Sequence, residues 1–222
     1  RGVLVPSHKV LPDFWSIGKA ARKGGQVVAE KYGGPGTPEG RVRGGRISQE
    51  QRRKYPEKYR QLGCNVKKVF AKPLYSEKFA ELVGILLGDG AISNYQVRVT
   101  LDRNVDRKYA TFVRILMEDV LGERPSFMER SEDNTIALTI SGTGLVEVLE
   151  QVGLKRGNKI VHQIDFPKWV RSKRSYEIAC VRGLFDTDGG LYSHRKVQRK
   201  YLGWCFTSSS KPLLQSVMDV LL

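Results

Sequence analysis

Two stretches of this chain set an acid beside a glycine at the end of an apolar run: residues 82–90 read LVGILLGDG and residues 181–189 read VRGLFDTDG. Asp89 and Asp188 stand 99 positions apart, and so do Gly84 and Gly183, and Gly90 and Gly189. Taken singly, each Asp-Gly is a common turn former. Taken as a duplicated pair they have a chemistry. Two carboxylates held close repel one another unless a hard cation lies between them, and Mg²⁺ accepts such oxygens together with waters and phosphate oxygens. A divalent ion held that way activates water and stabilises a leaving oxygen at phosphorus. Asp89 and Asp188 are therefore the candidate catalytic and metal-binding residues.

The correspondence runs outward along the elements that must carry these acids. Ser76 matches Ser175, Ala80 matches Ala179 and Ile85 matches Leu184, so each copy reads as a Ser start followed by an apolar helix ending in Asp-Gly. Gly84 and Gly88 lie four apart on one helix face, as do Gly183 and Thr187 on the other. Small residues at that spacing let two helices pack backbone against backbone, which brings Asp89 and Asp188 to the same end of the crossing. Further on, LMEDVL at 116–121 is echoed by VMDVLL at 217–222. Between these landmarks the first copy reads helix, two strands, helix, two strands, helix; in QVRVTL, Gln96, Arg98 and Thr100 alternate with Val97, Val99 and Leu101. The second copy reaches only its hairpin, with the basic turn HRKVQRK, and one more helix. Such a half-sheet would leave an open edge and face, so the natural protein is expected to continue beyond Leu222.

Charge divides the chain differently. Residues 1–74 hold 17 Lys/Arg against 5 Asp/Glu, whereas residues 75–222 hold 21 against 18. A basic arm on a nearly balanced body favours a polyanion, because each phosphate neutralised releases counterions. The arm repeats RKGGQV as VRGGRI, which puts Lys23, Arg43 and Arg46 beside paired glycines. The segment reads either as a DNA-following extension without a core of its own or as a solvated linker. Three cysteines and three histidines are scattered without zinc-ligand or disulfide spacing. With neither a signal-peptide pattern nor a membrane-length apolar run, the expectation is an intracellular, non-secreted protein without membrane partners, in a prokaryotic cytoplasm or an organelle.

The two motifs resemble the signature of LAGLIDADG homing endonucleases in their single-chain, two-motif form, and the similarity extends from about Ser76 to the end, including GNKIVHQIDFPKW before the second motif. The resemblance implies an α+β fold: two pseudo-symmetric αββαββα units forming a saddle of antiparallel sheets around a central helix pair, preceded by the basic, Gly-rich N-terminal extension. The expected domains are 1–74, 75–157, a linker at 158–174, and 175–222. It implies a monomeric, Mg²⁺- or Mn²⁺-dependent enzyme of a mobile intron or intein-like element, cutting double-stranded DNA once per strand across the minor groove. Intron RNA is the partner in an alternative maturase reading, and a non-cleaving regulator is a further one.

Carried over by residue, the resemblance gives Asp89 and Asp188 as metal ligands helped by the carbonyls of Gly88 and Thr187. It gives DNA contacts from Gln96, Arg98, Thr100 and Arg103, and from Ser126, Met128, Arg130, Thr135, Ala137 and Thr139. In the second half the contacts are His194, Arg195, Lys196, Arg199 and Lys200. Many relatives place a Lys or Gln near the end of the second strand; here Leu101-Asp102 and Ser208-Ser209 fill those positions, leaving the activating group unassigned. Leu87 stands where Asp186 stands in the other copy, and Asp186 reads as structural.

Overall fold

The computed structural model of the chain describes residues 17–34, 36–196 and 199–222, with the backbone alone at 17, 194–196, 199 and 200. The chain divides after Val66 into two compact units.

The first unit, read from the sequence only as an extension without a core of its own or a solvated linker, is helical. Its elements are α1 (Ile17–Tyr32), α2 (Pro38–Lys54) and α3 (Pro56–Gln61). Thr37 caps α2 by accepting from the Gly40 amide, and Pro38 occupies the first turn, where its missing N–H is no loss. Both glycine pairs, Gly24-Gly25 and Gly44-Gly45, lie inside helices with open space where a Cβ would project. They are neither turns nor close approaches. Glycine costs a helix about 1 kcal/mol per residue relative to alanine, so the sequence reads as non-helical where the chain is helical. No residue of α2 or α3 is buried, which agrees with the absence of a core.

The second unit, from Lys67, holds the repeated body. Its elements are α4 (Glu77–Leu87), β1 (Gly90–Ile92), β2 (Gln96–Asp102), α5 (Arg107–Leu121), β3 (Ser126–Arg130), β4 (Thr135–Ser141), α6 (Thr143–Gln151), α7 (Lys159–His162), α8 (Arg174–Asp188), β5 (Gly189–Lys196), β6 (Arg199–Phe206) and α9 (Lys211–Leu221). One antiparallel sheet has the order β1-β2-β4-β3, and a second consists of β5-β6. Period-two alternation sorts the first sheet: Val97, Val99, Leu101, Ile136, Leu138 and Ile140 are buried against the helices, and on the other face only the small Ala137 of β4 is buried as well. Residues 67–70, read from the sequence as arm, lie along α6: a Cβ on Gly144 would sit 2.3 Å from the Lys68 carbonyl oxygen.

The helix α4 is at the centre, with every residue from Phe79 to Leu87 buried. Its N-cap Ser76 accepts from the Phe79 amide at 3.2 Å. The matching Ser175 does not cap α8: that helix begins one residue earlier, at Arg174, and its N-cap Lys173 has no side-chain bond. Arg174 instead donates to the Val220 carbonyl, tying the start of α8 to the end of α9. The segment expected as a linker is part of the core. Ile164, Phe166, Trp169 and Val170 are buried, and the Trp169 ring stacks on Tyr75 at 4.4 Å and Phe79 at 5.0 Å while its N–H donates to the Val152 carbonyl at 3.1 Å.

Candidate active site at the helix crossing

The two motif helices touch at their glycines. A Cβ on Gly84 would lie 2.0 Å from the Cys180 carbonyl oxygen, and one on Gly183 would lie 2.2 Å from that of Glu81. At Gly88 the same atom would meet the Thr187 hydroxyl at 2.0 Å and an Asp188 carboxylate oxygen at 3.2 Å. Backbones this close leave room for no side chain, so the glycine spacing sets the distance between the helices.

The glycines after the acids act by space as well. A Cβ on Gly90 would sit 2.5 Å from the Leu86 Cα, and one on Gly189 would sit 2.5 Å from the Phe185 carbonyl oxygen. Neither residue has a positive φ. Each Asp-Gly is therefore a place where the outgoing strand folds back against the last turn of its own helix.

Asp89 follows α4 and Asp188 closes α8, both half-buried at the same end of the crossing. Burial, followed by the charge of Asp188, raises Asp89 to about 6, with Lys159 pulling the other way. Burial also raises Asp188, again opposed by Lys159. The Lys159 ammonium is itself pushed down by burial and supported by both acids. It donates to the Leu87 carbonyl at 3.0 Å and to the Gly88 carbonyl.

Lys159 is the residue the sequence reading missed. It opens the short α7, whose N-cap Asn158 accepts from the Ile160 amide at 2.9 Å and the Val161 amide at 3.2 Å. Gly157, at φ 91°, donates to the Ile92 carbonyl at 2.9 Å and anchors that turn on β1. No local pattern separates Lys159 from Lys155 or Lys168; the Gly157-Asn158 turn and cap are the one sign of a fixed backbone.

The strand-end positions play other parts. Leu101 is in the core, and Asp102 accepts from the amides of Asn104 at 2.7 Å and Val105 at 2.9 Å. The Gly88 carbonyl, expected to help hold a metal, accepts from Lys159. Asp186 lies away from the two acids, near Glu81, Arg182 and the Tyr109 hydroxyl. Its carboxyl is raised by burial and by Glu81, while Arg182 and Tyr109 oppose the rise. Arg182 crosses the helix pair to Glu81 in a two-pronged bond, at 2.9 and 2.6 Å.

Two carboxylates beside one ammonium leave the site a net acid. Its oxygen donors suit a hard divalent cation, and no cluster of three or more His, Cys, Asp or Glu exists among the described residues to hold a softer one.

The polar residues of the first sheet share one face. Pairing sets Arg98 opposite Thr139, Thr100 opposite Ala137, Ser126 opposite Thr139, Met128 opposite Ala137 and Arg130 opposite Thr135, while Gln96 faces Ser141. Arg98 donates to Thr139 at 3.3 Å, and Ser126 to the Thr139 carbonyl at 3.1 Å. Arg103 leaves this face to pair with Glu129 at 3.1 Å. The Asp89 carbonyl accepts from the Thr100 amide at 3.4 Å, so the acid adjoins the polar face. Lys23 lies on α1, and Arg43 and Arg46 lie on α2, all exposed. The side chains of His194, Arg195, Lys196, Arg199 and Lys200 lie outside the described residues.

Comparison with known proteins gives three results. Residues 175–222 match the family model of the LAGLIDADG-like domain. The chain is 24% identical over 157 residues to the replication factor C small subunit of Methanocaldococcus jannaschii, and 26% identical over 151 residues to the reverse gyrase of the same organism. These alignments cover 69% and 65% of this chain, and the chain spans only 8% of the length of either relative. Among solved structures, mesophilic variants of the homing endonuclease I-DmoI align with a TM-score of 0.42 at 16% identity, over 65% of this chain and 75% of that one. An I-DmoI variant in complex with its nicked target DNA and manganese aligns with a TM-score of 0.34 at 17% identity, over 51% and 62%. The body of this chain, an α+β fold with antiparallel sheets, resembles the LAGLIDADG homing endonucleases in its twin motif and carries a LAGLIDADG-like domain at residues 175–222.

Proposed function

We propose that the chain is a site-specific DNA endonuclease that hydrolyses one phosphodiester in each strand of a long duplex site, across the minor groove, using Mg²⁺ or Mn²⁺. The observation that carries this reading is the convergence of Asp89, Asp188 and Lys159 at the glycine crossing, beside a polar sheet face. Asp89 and Asp188 would hold the cation, with waters and phosphate oxygens completing its shell. A bound divalent ion supplies a more acidic water and a stabilised leaving oxygen. The chain's own groups do the rest. The ammonium of Lys159 offsets the negative charge that builds on a phosphate brought against two carboxylates. Gln96, Arg98, Thr100, Ser126, Arg130, Thr135 and Thr139 present short donors and acceptors suited to base edges in a major groove.

Both acids come from one chain, so a monomer suffices. Among the described residues no helix is long and apolar enough to cross a membrane. Recurrence of the segment in two proteins of different names supports a mobile module carried in unrelated hosts. Helices α1 and α2 extend the DNA contact through phosphate pairing by Lys23, Arg43 and Arg46.

The test is cleavage of a selected duplex in Mg²⁺ and in EDTA by the parent and two variants. Asp188→Asn lowers the rate at least ~10²-fold, the scale of removing one preorganised transition-state contact, while affinity stays within a few-fold. Asp89→Asn does the same, with nicking of one strand retained if the strands are cut independently. Binding without Mg²⁺-dependent cutting by the parent would replace the endonuclease with a regulator or an RNA-splicing role.

A further inference from the structure

We propose that the cavity beside Asp188, between α7 and the loop after β6, binds a backbone phosphate of one DNA strand, and that the first half of the molecule has no counterpart. The proposal rests on the reading of the chain as a DNA-acting enzyme. The cavity has a volume of about 250 Å³ and a polar wall formed by Lys159, Asp188, Thr207, Ser208 and Ser209, closed by Leu87 and Ile164. Among the described residues the hydroxyls of Thr207 and Ser209 have no protein partner. Ser208 accepts from the Ser210 amide at 3.2 Å, which leaves its own proton to donate. Lys159 directs two of its three N–H groups to the Leu87 and Gly88 carbonyls and keeps a third. An ammonium with several short hydroxyls is the donor set proteins use to position a nucleic-acid backbone.

The wall is fixed before any ligand arrives. Ser210 donates to the Ile164 carbonyl at 2.5 Å, and Gln163 bridges α7 to the loop by donating to the Ser209 carbonyl at 3.4 Å and accepting from the Lys211 amide at 3.2 Å. Gln163 does this from a left-handed backbone at φ 43°, a conformation costly for a residue with a side chain. Asp188 makes part of the wall hostile to an anion, so the hydroxyl side is where a phosphate is accepted. The corresponding turn after β2, residues 102–106, carries no hydroxyl, and its Arg103 pairs with Glu129. Asp102 holds its place there, with its carboxylate already accepting from Asn104, Val105 and the Asn134 amide group at 3.1 Å.

The experiment uses a duplex selected by the parent protein from a randomised library. The duplex is resynthesised with one neutral methylphosphonate at each successive backbone position of either strand, and binding is measured without divalent metal. The parent loses about tenfold in affinity at one position on one strand, the scale of a single hydrogen bond to a charged group, with no matching position on the other strand. Thr207→Ala/Ser209→Ala removes only hydroxyls without protein partners and so folds. Its loss at that position falls below about twofold, and Thr207→Ser/Ser209→Thr restores the sensitivity. Equal sensitivity in the parent and the double-alanine variant overturns the pocket and leaves the endonuclease reading standing. Failure to select any duplex overturns both. Inorganic phosphate forms the second arm: if it perturbs the 207–210 amide resonances while the methylphosphonate scan is flat, the cavity is a free-anion site and the proposal fails.

Discussion

The two motif helices share their glycine contact and the order of hairpin and helix that follows, and differ in how far the described residues cover them. Around α4, packing by α8, α5 and β1 of the four-stranded sheet leaves no residue from Phe79 to Leu87 exposed. Around α8, packing by α4, α9 and β5 buries Tyr176, Ala179, Cys180, Val181, Gly183 and Leu184, while Ile178 stands 52% exposed among the described residues. The hairpin β5-β6 repeats the difference: Leu191 and Leu202 are each 86% exposed, whereas Leu138 in the first sheet is fully buried. The shared part is what chemistry requires, namely two glycine-spaced helices delivering two acids to one place. The parts that differ are the surroundings of each helix, and on the proposed phosphate site they would also distinguish the two DNA strands.

The sharpest way to break this comparison is at the crossing itself. Gly84→Leu forces atoms into the Cys180 carbonyl and is expected to yield little folded protein, since overpacking costs at least ~1 to 3 kcal/mol even where neighbours can yield. Gly24→Ala, where nothing lies within 4 Å, is expected to stabilise the arm by up to about 1 kcal/mol. Thermal melts of both variants check the contrast, and a folded, active Gly84→Leu protein would refute the helix pairing.

The closed and open sheets separate next. Leu138→Ala is expected to cost about 2 to 5 kcal/mol in denaturant unfolding, and Leu202→Ala no more than about 0.5 kcal/mol. Similar losses would mean that the hairpin face is as well covered as the first sheet. On the proposed reading, the arm would act through charge alone. Replacing Lys23, Arg43 and Arg46 together by Ala should take roughly two to three units off the slope of log K against log salt for DNA, at about 0.9 per phosphate contact, without moving a cut. An unchanged slope returns α1 and α2 to a solvated appendage.

A further contrast concerns pH. Because Asp89 is raised from 3.8 to about 6, folding favours its protonated form; that contribution is complete below 3.8 and is lost as pH rises through about 6. Asp89→Asn should therefore stabilise the metal-free protein at pH 7 by about 1 kcal/mol, allowing for screening of a half-exposed group, and have no such effect at pH 3. Added Mg²⁺ should raise the parent's melting temperature at pH 7 more than at pH 4, since protons compete for the same oxygens.

The body was largely legible in the sequence because its signals are periodic. Alternation in β2, the Gly122 stop of α5 at φ 70° and the glycine spacing of α4 and α8 each follow from one local rule. The misses share a different physics. Helicity in α1 and α2 runs against glycine propensity, and Ser175 loses its cap role because α8 begins one residue earlier, at Arg174, which also donates to Val220 on α9. Lys159 gains its place from the Gly157 turn and from contacts to α4, more than 70 positions away in the chain. Propensity and period carry no information about such long-range partners.

The Glu81–Arg182 bond has a consequence for association. In the repeat, Glu81 corresponds to Cys180 and Arg182 to Val83, so the ion pair exists in one orientation only. If two copies of α4 met across the same crossing, each would bring a buried Glu81 against a valine, and an uncompensated buried charge costs about 3 to 5 kcal/mol. The pair therefore favours a first half meeting a second half over two first halves meeting each other.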